Sequence, residues 1–160
     1  MHNTYLFLKT IHILAAVVFL GTGLGSAWYR LRSDMSNDVR VIAWCQREIV
    51  LADWLFTVPA GIALPASAIG LVTMLGLPWD TPWILWGIGG YLLAGVFWLP
   101  AVWLQIAMRR LADEALANGT PLPPSYKRYA RMWLALGVPS FLAAGVTVWV
   151  MVAKHIAVGG

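Results

Sequence analysis

The chain of 160 residues is 60% hydrophobic and 11% charged, with ten Trp, one Cys and a formal net charge of +4. Soluble globular domains carry about 25% charged residues, so this composition excludes an ordinary water-soluble fold and points to a lipid environment. A lone Cys45 excludes an internal disulfide and a cysteine-rich zinc or iron–sulfur centre, and the basic residues flank apolar runs instead of forming a nucleic-acid surface.

About twenty apolar residues cross a bilayer core, and such stretches occur at about 5–28, 49–76, 83–108 and 133–153. They are continuous, without the period-two alternation of a β-barrel. The chain is therefore expected to be all-α, an integral membrane four-helix up-and-down bundle forming a single transmembrane domain over 1–160.

The first stretch lacks a basic leader and a small-residue cleavage site, which predicts a retained helix. It carries Lys9 and His12, three residues apart on one helix face with Ala16 and Gly23. An ionisable group in hydrocarbon costs at least about 2.5–3.5 kcal/mol and needs a partner or a purpose. Imidazole is a common haem axial ligand, and the small Ala15 and Ala16 would let a porphyrin approach the helix. Lys9 would then pair with a propionate. The plainer alternative is that Lys9 snorkels to the surface and His12 hydrogen-bonds across the bundle. Gly21 and Gly25 form a G-x-x-x-G pair, suited to close packing within the bundle or in a homodimer.

Residues 29–48, with Arg30, Arg32, Arg40 and Arg47, read as a loop. Asp53 follows one turn inside the second span. It is expected to form an ion pair with a basic residue of a neighbouring loop, or else to handle protons, and Gln105 at the same end of the third span could join it. Pro59, Pro65, Pro100 and Pro139 should kink or unwind their helices. The short connection 77–82 has no Lys or Arg, whereas 109–132 holds Arg109, Arg110, Lys127, Arg128 and Arg131 around the turn-rich run from Asn118 to Pro124. The segments 29–48 and 109–132 contain nine of the eleven basic residues, which places them in the cytoplasm and both termini on the outer, periplasmic side of a bacterial inner membrane. Tyr5, Trp28, Trp79, Trp83 and Trp133 fall at span ends as interfacial anchors.

At the outer end His2, Met74, Met151 and His155 provide thioether and imidazole groups of the kind that suits copper, although apolar packing accounts for the methionines as well. His155 could alternatively complete a bis-histidine haem site with His12.

The runs Leu8-Lys9-Thr10-Ile11-His12-Ile13-Leu14, Phe19-Leu20-Gly21-Thr22-Gly23, Leu51-Ala52-Asp53-Trp54-Leu55-Phe56-Thr57 and Trp98-Leu99-Pro100 occur in the order of a family of small predicted bacterial inner-membrane proteins. The chain resembles that family, domain-of-unknown-function family 2269, over nearly its whole length. More distantly, Leu8, Lys9 and His12 resemble the Leu-Lys-x-x-His pattern of HemJ-type protoporphyrinogen oxidases, whose histidine is implicated in haem b ligation. CopD-type copper-resistance proteins resemble the same broad group. The later spans show no obvious second intramembrane Lys or Arg, so the HemJ resemblance implies haem binding more than porphyrinogen oxidation. The expectation is a membrane haem b redox protein with His12 on iron, Lys9 near a propionate and His155 as the opposite ligand, exchanging electrons with quinone or another redox partner. A copper-handling protein and a non-catalytic assembly subunit are the alternatives.

Overall fold

A computed structural model describes residues 2–153 of the chain, and among these residues it is all-helical. The elements are α1 (His2–Ser36), α2 (Val39–Ala52), a π-helical turn (Asp53–Thr57), α3 (Val58–Met74), α4 (Pro82–Asn118) and α5 (Pro124–Ala153). Because α2, the π turn and α3 run on without a break, the elements make four rods, each long and apolar enough to cross a membrane. They run up and down. His2, Met74, Pro82 and Ala153 lie at one end, called here the terminal end, and the connections after Ser36 and Asn118 lie at the other, the basic end.

Residues 29–48, read as a loop from their charge, are mostly helix instead, and α4 and α5 extend through most of 109–132. Apart from the buried Arg30, the basic side chains of these segments are exposed, while Ile42, Ala43, Cys45, Gln46, Ile49 and Val50, at helical spacing, bury the inner face of α2. The connection between α1 and α2 shrinks to Asn37 and Asp38. Asn37 adopts φ 54°, a left-handed conformation that Asn tolerates better than most residues. Asp38 then caps α2, its Oδ1 accepting from the backbone N–H of Arg40 at 2.8 Å. The other basic connection ends α4 at Gly119, also left-handed at φ 62°.

The most completely buried apolar cluster, Ile42, Ala43, Met108, Ala112 and Tyr126, lies in these extensions at the basic end. The reason is the solvent. Burying apolar surface from water gains about 25 cal/mol per Å², but lipid tails are as apolar as Leu and provide no such drive. Deeper in the spans the helices associate through small residues. A Cβ placed on Gly87 would collide with Met151, and one on Gly90 with the Thr147 hydroxyl, while Ser140 Oγ donates to the Ala94 carbonyl at 2.9 Å, so α4 and α5 form a close antiparallel pair. Gly90→Leu is expected to overpack this seam at a cost of about 1–3 kcal/mol, read as a lower unfolding midpoint in detergent.

A second pair joins α1 to α3, with Leu8 over Gly70 and Phe19 over Gly61. Among the described residues the backbone of α3 nowhere comes within 8 Å of α4 or α5. Longer side chains bridge the two pairs. Phe19 and Trp98 meet with ring centroids 6.1 Å apart, and Tyr91 Oη donates to the Gly61 carbonyl at 2.7 Å. That carbonyl lies four residues before Pro65, which has no N–H to offer it, so the tyrosine satisfies an acceptor the proline leaves free. The helices are not broken at the prolines: α3, α4 and α5 continue through Pro65, Pro100 and Pro139, and the π turn ends two residues before Pro59.

Two expectations are corrected by this packing. Gly21 and Gly25 border open space, with nothing within 4 Å of an added Cβ, so they do not serve close packing within the chain. Trp133 is an internal contact as well as a residue near a span end, for its indole N–H donates to Gln105 Oε1 and its ring lies under Arg30.

Candidate functional site

His12 projects from α1 onto α3, where its Nδ1 lies 2.9 Å from Ser67 Oγ and 3.1 Å from the Leu64 carbonyl oxygen. The hydrogen-bond chemistry selects the tautomer. Ser67 Oγ donates its single proton to the carbonyl of Ala63 at 2.6 Å or of Leu64 at 3.1 Å, so towards His12 it accepts. The Leu64 carbonyl can only accept. Nδ1 therefore carries the proton and Nε2 keeps a lone pair, for which the described residues supply no partner. The ring is half-buried, Ser67 is buried, and the small Ala15 and Ala16 follow on the next turn of α1.

Lys9 is one turn nearer the terminal end, exposed, with Nζ 5.5 Å from the centroid of the Tyr5 ring. The structure thus keeps Lys9 and His12 on the same stretch of α1. His155 lies outside the described residues. Of the methionines at the terminal end, Met151 packs at Gly87 between α4 and α5, and Met74 ends α3, no Cα of which comes within 8 Å of one in α5. Their convergence is therefore not seen. Among the described residues no three His, Cys, Asp or Glu side chains gather as a metal-ion cluster.

About four helical turns away, or about 20 Å along α3, the basic end holds a buried polar chain that sequence reasoning anticipated only in part. Asp53, in the π turn, accepts from Thr57 Oγ1 at 2.7 Å and from Gln105 Nε2 at 2.6 Å. Gln105 Oε1 in turn accepts from Trp133 Nε1 at 3.0 Å. Indole N–H is donor-only, so the orientation of the Gln105 amide follows from the network. The expected ion pair of Asp53 with a loop cation is not formed: its partners are a neutral amide and a hydroxyl, and the expected contribution of Gln105 is present.

Above Trp133 the Arg30 guanidinium lies 4.2 Å from the ring centroid, and its Nη2 is 3.7 Å from Asp34. Tyr126 Oη donates to Asp34 Oδ1 at 2.6 Å and accepts from Gln46 Nε2 at 2.8 Å. Arg30 is 5% exposed and Gln46 is fully buried, yet Arg30 Nε and Gln46 Oε1 have no protein partner. Both are acceptable only with water in reach, because a buried unpaired polar atom costs about 1–3 kcal/mol. The signal for this cluster was Gln46, an uncharged polar residue in the middle of the apolar stripe of α2.

Neither a curated protein nor a solved structure matches the chain. A family model described as a predicted integral membrane protein does match, from residue 6 to residue 155 and without an assigned activity. With four apolar helices of spanning length beneath that match, the chain belongs to the DUF2269 family of integral membrane proteins.

Proposed function

We propose that the protein is a small haem b-binding redox protein of the bacterial inner membrane, with His12 as an axial ligand. The observation that carries this reading is the anchored imidazole. A ligating histidine characteristically donates its other ring N–H to a carbonyl or a similar acceptor, which fixes the tautomer, orients the ring and makes the free nitrogen more basic. Nδ1 of His12 makes that bond to Leu64 and Ser67, and Nε2 is left as the available donor atom. The surroundings support the group: Ala15 and Ala16 are small, no Cα of α3 comes within 8 Å of one in α4 or α5, and Lys9 offers a cation one turn nearer the surface for a propionate. His155 is the candidate for the opposite ligand. Haem supplies one-electron chemistry at a potential set by ligand and burial, and the chain's part is to hold, orient and shield it.

The charge distribution supports an orientation with both termini in the periplasm, because the basic residues concentrate at the opposite end. His12 would then lie towards the outer leaflet and exchange electrons with quinone or a partner there. Ser67→Ala tests the anchoring directly. It removes one of two acceptors of the Nδ1 proton and leaves Leu64, so haem affinity is expected to fall about tenfold while binding persists. Haem titration of the apoprotein, followed at the Soret band, measures it. An unchanged affinity would count against an oriented ligand.

A further inference from the structure

On the membrane-facing side of the α4–α5 pair, near the basic end, a half-open hollow of about 420 Å³ is lined by Trp103, Ile106, Ala107, Arg110, Glu114 and Tyr129, with Leu111 beside them. Its residues are ordered by depth along α4. Trp103, Ile106 and Ala107 lie within the apolar span, Arg110 lies just beyond it, and Glu114 is one further turn out, about 6 Å along the axis. Trp103 and Tyr129, whose ring centroids are 6.0 Å apart, form the inner, apolar part of the wall.

The charges in the hollow are not consumed by the protein. Arg47 and Arg109 both pair with Asp113, at 2.6 and 3.6 Å, whereas among the described residues neither Arg110 nor Glu114 takes part in an ion pair. Both side chains are exposed. Going outward, the hollow thus presents apolar wall, cation and anion. A phospholipid with a primary-amine headgroup presents acyl chain, phosphate and ammonium in the same order.

We propose that this hollow is a binding site for a zwitterionic aminophospholipid of the phosphatidylethanolamine class. The Arg110 guanidinium takes the phosphate, for which its planar fork of N–H donors is suited. Glu114 accepts from the primary ammonium, and one acyl chain lies along Trp103, Ile106 and Ala107. Glu114 is the selective element. It repels a purely anionic headgroup, and a quaternary choline ammonium has no N–H to donate to it.

The test uses the full chain reconstituted in vesicles of equal parts phosphatidylethanolamine, phosphatidylcholine and phosphatidylglycerol, with retained lipid identified by native mass spectrometry. The wild-type protein is expected to retain phosphatidylethanolamine about tenfold over either competitor, the difference that one charge-assisted hydrogen bond makes. Glu114→Gln should bind lipid but lose the preference over phosphatidylcholine, and Arg110→Gln should lose retention of all three. Both positions are exposed, and unchanged circular dichroism establishes that the variants fold. Equal retention of the three lipids by the wild type, a preference for phosphatidylglycerol, or an undiminished preference in Glu114→Gln would overturn the proposal.

Discussion

Gln105→Leu is expected to be among the most destabilising single substitutions in the chain, at about 2–6 kcal/mol. The Gln105 side chain is 4% exposed and its amide is used at both ends, donating to Asp53 and accepting from Trp133. Leucine fills a similar volume but satisfies neither neighbour. Asp53 Oδ2 and Trp133 Nε1 would each lose their partner, and an unmade buried hydrogen bond costs about 1–3 kcal/mol, more where the group is charged. The partial exposure of Trp133 limits its share. Asp53→Asn provides the contrast. An asparagine carbonyl still accepts from Gln105 and its amide still reaches Thr57, so this variant should stay within about 1 kcal/mol of the wild type. Unfolding in mixed detergent micelles, comparing the two variants, measures the difference. A Gln105→Leu protein as stable as Asp53→Asn would show that the polar chain does not hold the basic end together.

His12→Ala is expected to abolish haem binding while leaving the helices in place. The structural loss is small: His12 is half-buried, and Ser67 keeps its bond to the Ala63 carbonyl without it. One hydrogen bond of this kind contributes about 0.6–2 kcal/mol between membrane helices. On the haem reading the loss of an axial ligand is of another order, because it removes the imidazole proposed to hold the iron. A purely structural His12 would give the reverse pattern, with a modest loss of stability and no change in bound cofactor. Haem content and unfolding midpoint, read on the same preparation, therefore separate the two roles.

Span number and composition class were legible because hydrocarbon makes a strong demand on consecutive residues: four runs of about twenty apolar residues have few other uses. The extensions were hidden by the same criterion. In residues 29–48 the charges of Arg32, Arg40 and Arg47 dominate the hydropathy, while the periodic face of Ile42, Ala43, Cys45, Gln46, Ile49 and Val50 occupies only one side of α2. His12 and Asp53 stood out individually, since each is an ionisable group near lipid. Their partners did not. Ser67 meets His12 only because α1 and α3 pair in a particular antiparallel register, and that register depends on Leu8 settling over Gly70 and Phe19 over Gly61. Trp133 looked like an interfacial anchor because a tryptophan at a span end usually is one. Its inward role follows from the position of Gln105 across the α4–α5 seam, which sequence spacing alone does not encode.

The polar chain and His12 are set about 20 Å apart along the α2–α3 rod. The basic-end chain includes Trp133, whose indole N–H donates but does not accept, so the direct side-chain contacts alone form no continuous proton path from Arg30 and Asp34 to Asp53. Its contacts tie α1, α2, α4 and α5 together at the basic end.

The most direct test is the absorption spectrum of the protein purified in mild detergent from haem-replete cells, recorded oxidised and after dithionite reduction beside a metal analysis and a matched His12→Ala preparation. A Soret band with reduced α and β bands and stoichiometric iron is expected in the wild type, with their loss in His12→Ala. A wild-type protein without haem, or a His12→Ala protein that retains it in full, would contradict the haem reading.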